Sequence, residues 1–168
     1  MVNVDKTITY RYATQQDVPL IYRYILELAE YEGLADEVNT SEAVLEDSLF
    51  NIQAAKVLFP EINGKPIGFC LFFYNFSTFL GRPGLYIEDL YIEEAYRGSG
   101  YGKALLEKMR SIAEAEKLGR VEWWCLDENK ASIAFYKSQG AVPMEDWTVF
   151  RIANPSDNKK KESITDSF

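Results

Sequence analysis

The residues best equipped for chemistry stand in one short string, Arg97-Gly98-Ser99-Gly100-Tyr101-Gly102, between an acidic apolar run and a long amphipathic stretch. Glycines let the backbone approach a ligand closely and turn successive N–H groups toward one point. A helix N-terminus behind them adds roughly half a positive charge. That is the chemistry of anion binding, and a diphosphate suits it. Taken alone, the same string is also an ordinary tight turn. Other nucleotide signatures fit worse: Gly102-Lys103-Ala104 lacks the hydroxyl residue that ends a P-loop, and the glycine spacing does not meet G-x-G-x-x-G.

Just upstream, Leu85 to Ile92 reads LYIEDLYI and carries the adjacent acids Glu88 and Asp89. On a regular strand these point to opposite faces, so only one faces a cleft unless a bulge intervenes. The chain has no histidine, which removes Ser-His-Asp and Cys-His catalysis and most zinc sites; no metal is expected. Tyr136, beside Phe135 near the end of a short helical run, reads by itself as a core tyrosine.

These residues need a scaffold, and 168 residues at 47% hydrophobic supply one well-cored domain, expected over residues 1–153, with 154–168 a polar flexible tail. The net charge of −8 repels phosphate backbones and anionic bilayers, so neither nucleic acid nor membrane is an expected partner. No run of about twenty apolar residues exists, and the N-terminus carries no signal-peptide pattern. Cys70 and Cys125 each sit inside an apolar run, which predicts buried thiols and a reducing cytoplasm.

Thr7–Tyr12 alternates as a strand. Asp17 is a predicted N-cap with Pro19 in the first turn of a helix ending near Tyr31–Gly33, and a second helix follows Thr40. Ala54–Ile62 and Pro66–Phe76 read as strands joined by an Asn63-Gly64 hairpin turn. Gly81–Gly84 is a turn and Leu85–Ile92 a strand. A helix after Gly102 carries its stripe through Leu105, Leu106, Met109, Ile112, Ala113 and Leu118, closed by Gly119. Val121–Leu126 reads as a buried strand containing Trp123 and Trp124, Ser132–Gln139 as a helix stopped by Gly140, and Trp147–Ile152 as a last strand. The order β-α-α-β-β-β-α-β-α-β predicts an α/β sandwich around one mixed sheet.

The acidic strand, Arg97-x-x-Gly100-x-Gly102 and the long helix together resemble motif A of the GNAT superfamily. Tyr86-Ile87-Glu88-Asp89, Tyr96-Arg97-Gly98, Asn129 through Tyr136 (NKASIAFY) with Gly140-Ala141, and Glu27 through Glu32 are similar to spermidine/spermine and thialysine N-acetyltransferases, in order over roughly residues 8 to 152. The resemblance implies the GNAT acyl-CoA N-acyltransferase fold, with a central mixed, mostly antiparallel sheet flanked by helices. It implies acetyl-CoA as co-substrate, a small cationic amine as acceptor, and a homodimer. Leu90, Tyr91 and Ile92 would lie along the pantetheine arm; Arg97, Gly98, Ser99, Gly100, Tyr101, Gly102 and Lys103 would wrap the diphosphate; Asn129 and Ser132 would meet the cofactor arm. Tyr136 matches the acid at the departing sulfur. Tyr31, Glu32, Glu88, Asp89 and Glu145 match substrate-side positions, Glu88 with a catalytic role.

Acetyl transfer needs a neutral amine, and deprotonating a lysine-like amine near pH 7 costs about 4.6 kcal/mol. A carboxylate of ordinary pKa, such as Glu88, is a poor direct base, so a water relay or a substrate arriving neutral is expected. Acids beside the attacked nitrogen would hold it protonated, so most acids are expected to bind a distal ammonium, favouring substrates with two cationic nitrogens. In polyamine-specific members the turn before the acidic strand carries an acid and a tryptophan; here it reads Ser77-Thr78-Phe79-Leu80-Gly81, which leans toward the thialysine-like branch. A non-catalytic acyl-CoA-binding module and a protein N-acetyltransferase remain as alternative readings.

Overall fold

The computed structural model describes residues 7–154; the predicted tail beyond Asn154 lies outside them. Two compact units emerge, one ending at Leu126 and one beginning at Asp127.

In the first unit, β1 (Ile8–Tyr12) leads through a short turn into α1 (Val18–Tyr31). Asp17 occupies the N-cap and Pro19 the first turn, where a missing N–H costs nothing. The Asp17 carboxylate accepts the Thr14 N–H (2.7 Å) and pairs with Arg11 (2.8 Å), so it closes the turn before the helix instead of bonding the helix amides. α1 buries Val18, Ile21 and Tyr24. The short α2 (Glu42–Glu46) starts where Ser41 Oγ accepts the Val44 N–H, and it widens into a π-type turn over Asp47–Asn51.

Next come β2 (Lys56–Ile62), β3 (Lys65–Pro66), β4 (Gly68–Ser77) and β5 (Arg82–Ile92). Asn63 and Gly64 both take positive φ, 53° and 72°, as the predicted two-residue hairpin turn requires. α3 (Tyr101–Ala115) and β6 (Val121–Trp123) complete the unit. The sheet runs β1-β2-β4-β5-β6 with β3 on β2; every pairing is antiparallel except β5 with β6. The mixed, mostly antiparallel sheet matches the expected fold class.

The core is aromatic. Tyr24 of α1 stacks on Phe69 of β4 with ring centres 5.6 Å apart, and Phe59 and Tyr91 tilt against it. Each such buried side chain stabilises the fold by about 1.5–3 kcal/mol relative to exposure. Leu105, Leu106 and Met109 bury the facing stripe of α3, as the sequence period requires.

Several boundaries differ from expectation. β5 begins at Arg82, so the turn is Thr78–Gly81, not Gly81–Gly84. α3 is closed by Lys117 at φ 57°, while Gly119 is small because an added Cβ would meet the Leu80 side chain at 2.9 Å. β6 is three residues long and half-buried; Trp123 is half-buried and Trp124 exposed, so neither is the full core residue expected. Cys70 is fully buried, and burial pushes its thiol up, but Cys125 is only half-buried because it lies past the end of β6.

The second unit contains α4 (Lys130–Ser138), capped by the Asn129 side chain and closed by Gly140 at φ 85°. The predicted strand at Trp147–Ile152 does not form: no strand pairs with it among the described residues, and an unpaired strand has nowhere to place its backbone hydrogen bonds. Trp147, Phe150 and Ile152 are exposed there. No helix among the described residues is long and apolar enough to cross a membrane.

Candidate active site

The site begins at an irregularity in β5. Along β4, Leu71 stands opposite Asp89 and Phe72 opposite Ile87, so Glu88 is one extra residue, a β-bulge. A bulge breaks strict alternation, and it falls at the one position in β5 where two successive residues are acids. Glu88 is exposed and Asp89 half-buried. Burial, reinforced by the negative charges of Glu88 and Glu32, pushes the Asp89 carboxyl up to about 7. Glu32, at the C-cap of α1, is itself raised by burial. The fold thus couples Glu32, Glu88 and Asp89 electrically.

The same bulge coincides with the end of a ladder. β5 pairs with β6 only through Leu85–Val121, Tyr86–Glu122 and Ile87–Trp123. Past Ile87, β5 stays on β4 but leaves β6. Glu93 N–H bonds back to Ile67 of the turn before β4 (2.9 Å), so by antiparallel alternation Leu90 and Ile92 aim backbone groups toward the side that β6 has left. The Ile92 carbonyl is occupied by Arg97 Nε at 2.9 Å, which leaves the Ile92 N–H and the Leu90 groups for an extended ligand. Tyr91 points the other way: it is buried on Tyr24 and Phe69, its hydroxyl donates to Glu27 at 2.9 Å, and burial and that acid push it up to about 12. By the same alternation its backbone N–H and C=O face β4, so Tyr91 offers the open edge no hydrogen-bonding group.

Beyond β5, Gly98 (φ 74°) and Gly100 (φ 86°) take left-handed conformations that swing the chain into α3. The first amide of α3 to find a carbonyl is Ala104, bonding Gly100 at 3.0 Å, so Tyr101, Gly102 and Lys103 present N–H groups ahead of the helical ladder. A Cβ added at Gly98, Gly100 or Gly102 would meet no atom within 4 Å. The cradle is open, and its donors fit a diphosphate. Ser99 and Lys103 are exposed; Tyr101 rests edge-on against Tyr96, and Lys103 lies 3.9 Å from Glu107.

Arg97 departs from the simplest picture. Its backbone opens the loop, yet its guanidinium turns back to lie over the Tyr31 ring (4.6 Å) and the Tyr91 ring (5.3 Å). A residue expected on the phosphates therefore reaches the α1 side. Sequence reasoning missed its neighbours. Arg23 pairs with Glu93 (2.9 Å) and Glu27 (3.5 Å), and Tyr24 donates to Glu93 (2.8 Å). The Arg23–Glu27 spacing of four residues on a helix was the available signal.

The first unit thus gathers Tyr31, Glu32, Glu88, Asp89, Leu90, Ile92 and the glycine loop. Asn129, Ser132, Tyr136 and Glu145 belong to the second. There Asn129 Oδ1 accepts the Ser132 N–H at 3.2 Å as the cap of α4, Tyr136 is half-buried with its ring 5.3 Å from Phe135, and Glu145 is exposed. Among the described residues no group of three His, Cys, Asp or Glu side chains is placed to hold a metal.

Residues 22–141 match the model of the acetyltransferase (GNAT) family, a span that runs from the first unit into the second. The chain is 31% identical to an L-ornithine N5-acetyltransferase of Arabidopsis thaliana over 84% of its own length and 82% of that protein. It is 34% identical to a thialysine N-epsilon-acetyltransferase of Sus scrofa, covering 86% and 92%. Among solved structures, an integron cassette protein from the mobile metagenome of V. cholerae superposes with a TM-score of 0.74 at 23% identity, over 92% of this chain and 98% of that one.

Proposed function

This chain belongs to the acetyltransferase (GNAT) family and is an acetyl-transferring enzyme; from that premise we propose that it acetylates a primary amine of a small diamino substrate, by direct attack within a ternary complex with acetyl-CoA. The observation that carries this reading is the parting of β5 from β6 at a bulge bearing two carboxylates, next to an open glycine cradle. Relatives that act on ornithine and thialysine support the diamino acceptor.

Each residue then has a task. The amides of Gly98 to Lys103 hold the diphosphate, and the Leu90 and Ile92 backbone guides the pantetheine arm as an added strand would. Acetyl-CoA supplies the thioester whose C–S bond breaks as the amine nitrogen bonds to the carbonyl carbon. Asp89, with its carboxyl raised to about 7, is matched to accept the amine proton near neutral pH, directly or through one water. Glu88, exposed beside it, relays that proton, and Glu32 and Tyr31 draw the cationic acceptor toward the gap. Tyr136 protonates or hydrogen-bonds the departing sulfur, and Asn129 and Ser132 meet the cofactor arm. In this reading both units belong to one catalytic domain that pairs as a homodimer.

Thiol release from acetyl-CoA, followed with L-ornithine, thialysine, spermidine and a lysine peptide in parallel, tests the reading. Turnover with the first two supports it. Turnover with the peptide alone would make this a protein acetyltransferase, and tight coenzyme A binding without any turnover would make it a binding module.

A further inference from the structure

A cavity of about 580 Å³ opens between the last two turns of α1 and the end of β5, lined among others by Arg23, Glu27, Glu30, Tyr31, Tyr91 and Arg97. Resting on the diamino-substrate reading, we infer that this cavity binds the amino-acid head of the acceptor, an α-carboxylate and an α-ammonium on one carbon, and so selects diamino acids over diamines that lack the carboxylate.

Charge pairing inside the cavity is uneven. Arg23 is neutralised by Glu93 and Glu27. Arg97 has no carboxylate partner among the described residues; it is held flat by the Tyr31 and Tyr91 rings. Of its five N–H donors, Nε is spent on the Ile92 carbonyl. Even with one contact to the Tyr91 hydroxyl, its terminal nitrogens keep a fork of donors suited to a bidentate carboxylate. On the same wall, Glu30 makes no side-chain hydrogen bond or ion pair among the described residues. Glu94 in the same lining is likewise without a side-chain partner among the described residues, so one unmatched cation, Arg97, stands among two unmatched acids, an arrangement that offers a carboxylate its guanidinium and an ammonium its acids. A polyamine would find the acids but also an uncompensated guanidinium.

The reach agrees. Asp89 and Tyr91 share a face of β5 two residues apart, about 6.6 Å at the rise of a strand, and Arg97 lies over the Tyr91 ring. The terminal amine of an extended chain of three or four methylenes stands about 5–6 Å from its α-carbon, from bond lengths near 1.5 Å. Asp89 is outside the cavity lining, and that spacing along β5 is of the length needed for a head held in the cavity to extend its terminal amine toward Asp89.

The test compares kcat/KM for L-ornithine with that for 1,4-diaminobutane, its counterpart without the carboxylate, in the wild-type chain and in Arg97→Gln, Arg97→Lys and Glu30→Gln. The ratio of the two substrates cancels any loss of cofactor affinity. Wild type is expected to prefer ornithine. The ratio falls at least tenfold in Arg97→Gln through the KM for ornithine and less in Arg97→Lys, while the exposed Glu30→Gln raises the KM severalfold for both substrates, which share the ammonium, and leaves their ratio near that of the wild type. An unmoved ratio, with only the KM for acetyl-CoA raised in Arg97→Gln, would assign that side chain to the cofactor and overturn the inference while sparing the proposed function. A wild type that acetylates neither compound sinks both.

Discussion

Ile87 and Trp123 are the last partners in the parallel ladder between β5 and β6. One residue later β5 bulges at Glu88, and from there to Ile92 its edge on that side is open among the described residues. A strand that loses a neighbour exposes unpaired N–H and C=O groups. Here those groups lie between a pair of acids and a glycine-rich loop, and the proposed cofactor arm would run along that edge.

The cradle rests on backbone conformation. Gly100→Ala introduces no clash, since nothing lies within 4 Å of the added methyl. It does force a residue with a Cβ to φ 86°, at about 1 kcal/mol or more of strain. The KM for acetyl-CoA is expected to rise about tenfold or more, with the thermal midpoint lowered by about 2–4 °C per kcal/mol of strain. Calorimetric titration of coenzyme A checks this, and equal affinity in the variant would remove the loop from the cofactor site.

Asp89 links activity to stability with opposite signs. Its folded pKa of about 7 stands above the ordinary aspartate value, so the folded state binds that proton more tightly than the unfolded chain. The stabilisation is complete at low pH and declines as pH rises from about 4 through 7. Asp89→Asn should therefore raise the thermal midpoint at pH 8, by at most a few kcal/mol on the free-energy scale, with the difference shrinking steadily as pH falls and little change left near pH 4. In the wild type, kcat/KM should fall below pH 7 as the carboxyl protonates, and the variant should lose that limb along with about a hundredfold or more in rate. A pH profile identical in both proteins would leave Asp89 without a proton-transfer role.

Tyr136→Phe removes only a hydroxyl from a half-buried ring, so the fold should survive. Turnover should drop roughly tenfold to a hundredfold. A thiol leaves more readily than an amine, which keeps the loss toward the low end. The cleanest check is an acetyl donor with a more acidic thiol, which should partly restore the rate; a variant at full speed would exclude the acid role.

Gly68 tests the platform beneath the site. An added Cβ would lie 2.1 Å from the Tyr91 carbonyl oxygen, a contact that only backbone movement can relieve. Gly68→Ala is expected to destabilise by about 1–3 kcal/mol or more and to shift β5 where Leu90 and Ile92 sit. Urea denaturation measures the first effect, and coenzyme A affinity the second.

Much of this was legible in order and period. The Asn63-Gly64 turn, the stripe Leu105–Leu106–Met109 and the glycine string depend on neighbours within a few residues. Local conformational preference settles such features before any tertiary contact forms. Trp147–Ile152 shows where that logic stops: its alternation reads as a strand, but a strand exists only when another backbone accepts its hydrogen bonds.

Sequence alone determined that a glycine-rich loop follows an acidic strand, that histidine chemistry is absent, and that Glu88 and Asp89 are adjacent, because residue type and spacing specify each of these. Tertiary structure decided which acid is buried, where β5 leaves β6, and that Arg97 turns from the loop to lie over Tyr31 and Tyr91. Those outcomes depend on desolvation, register and stacking between segments far apart in the chain, and such quantities have no value until the chain has closed on itself.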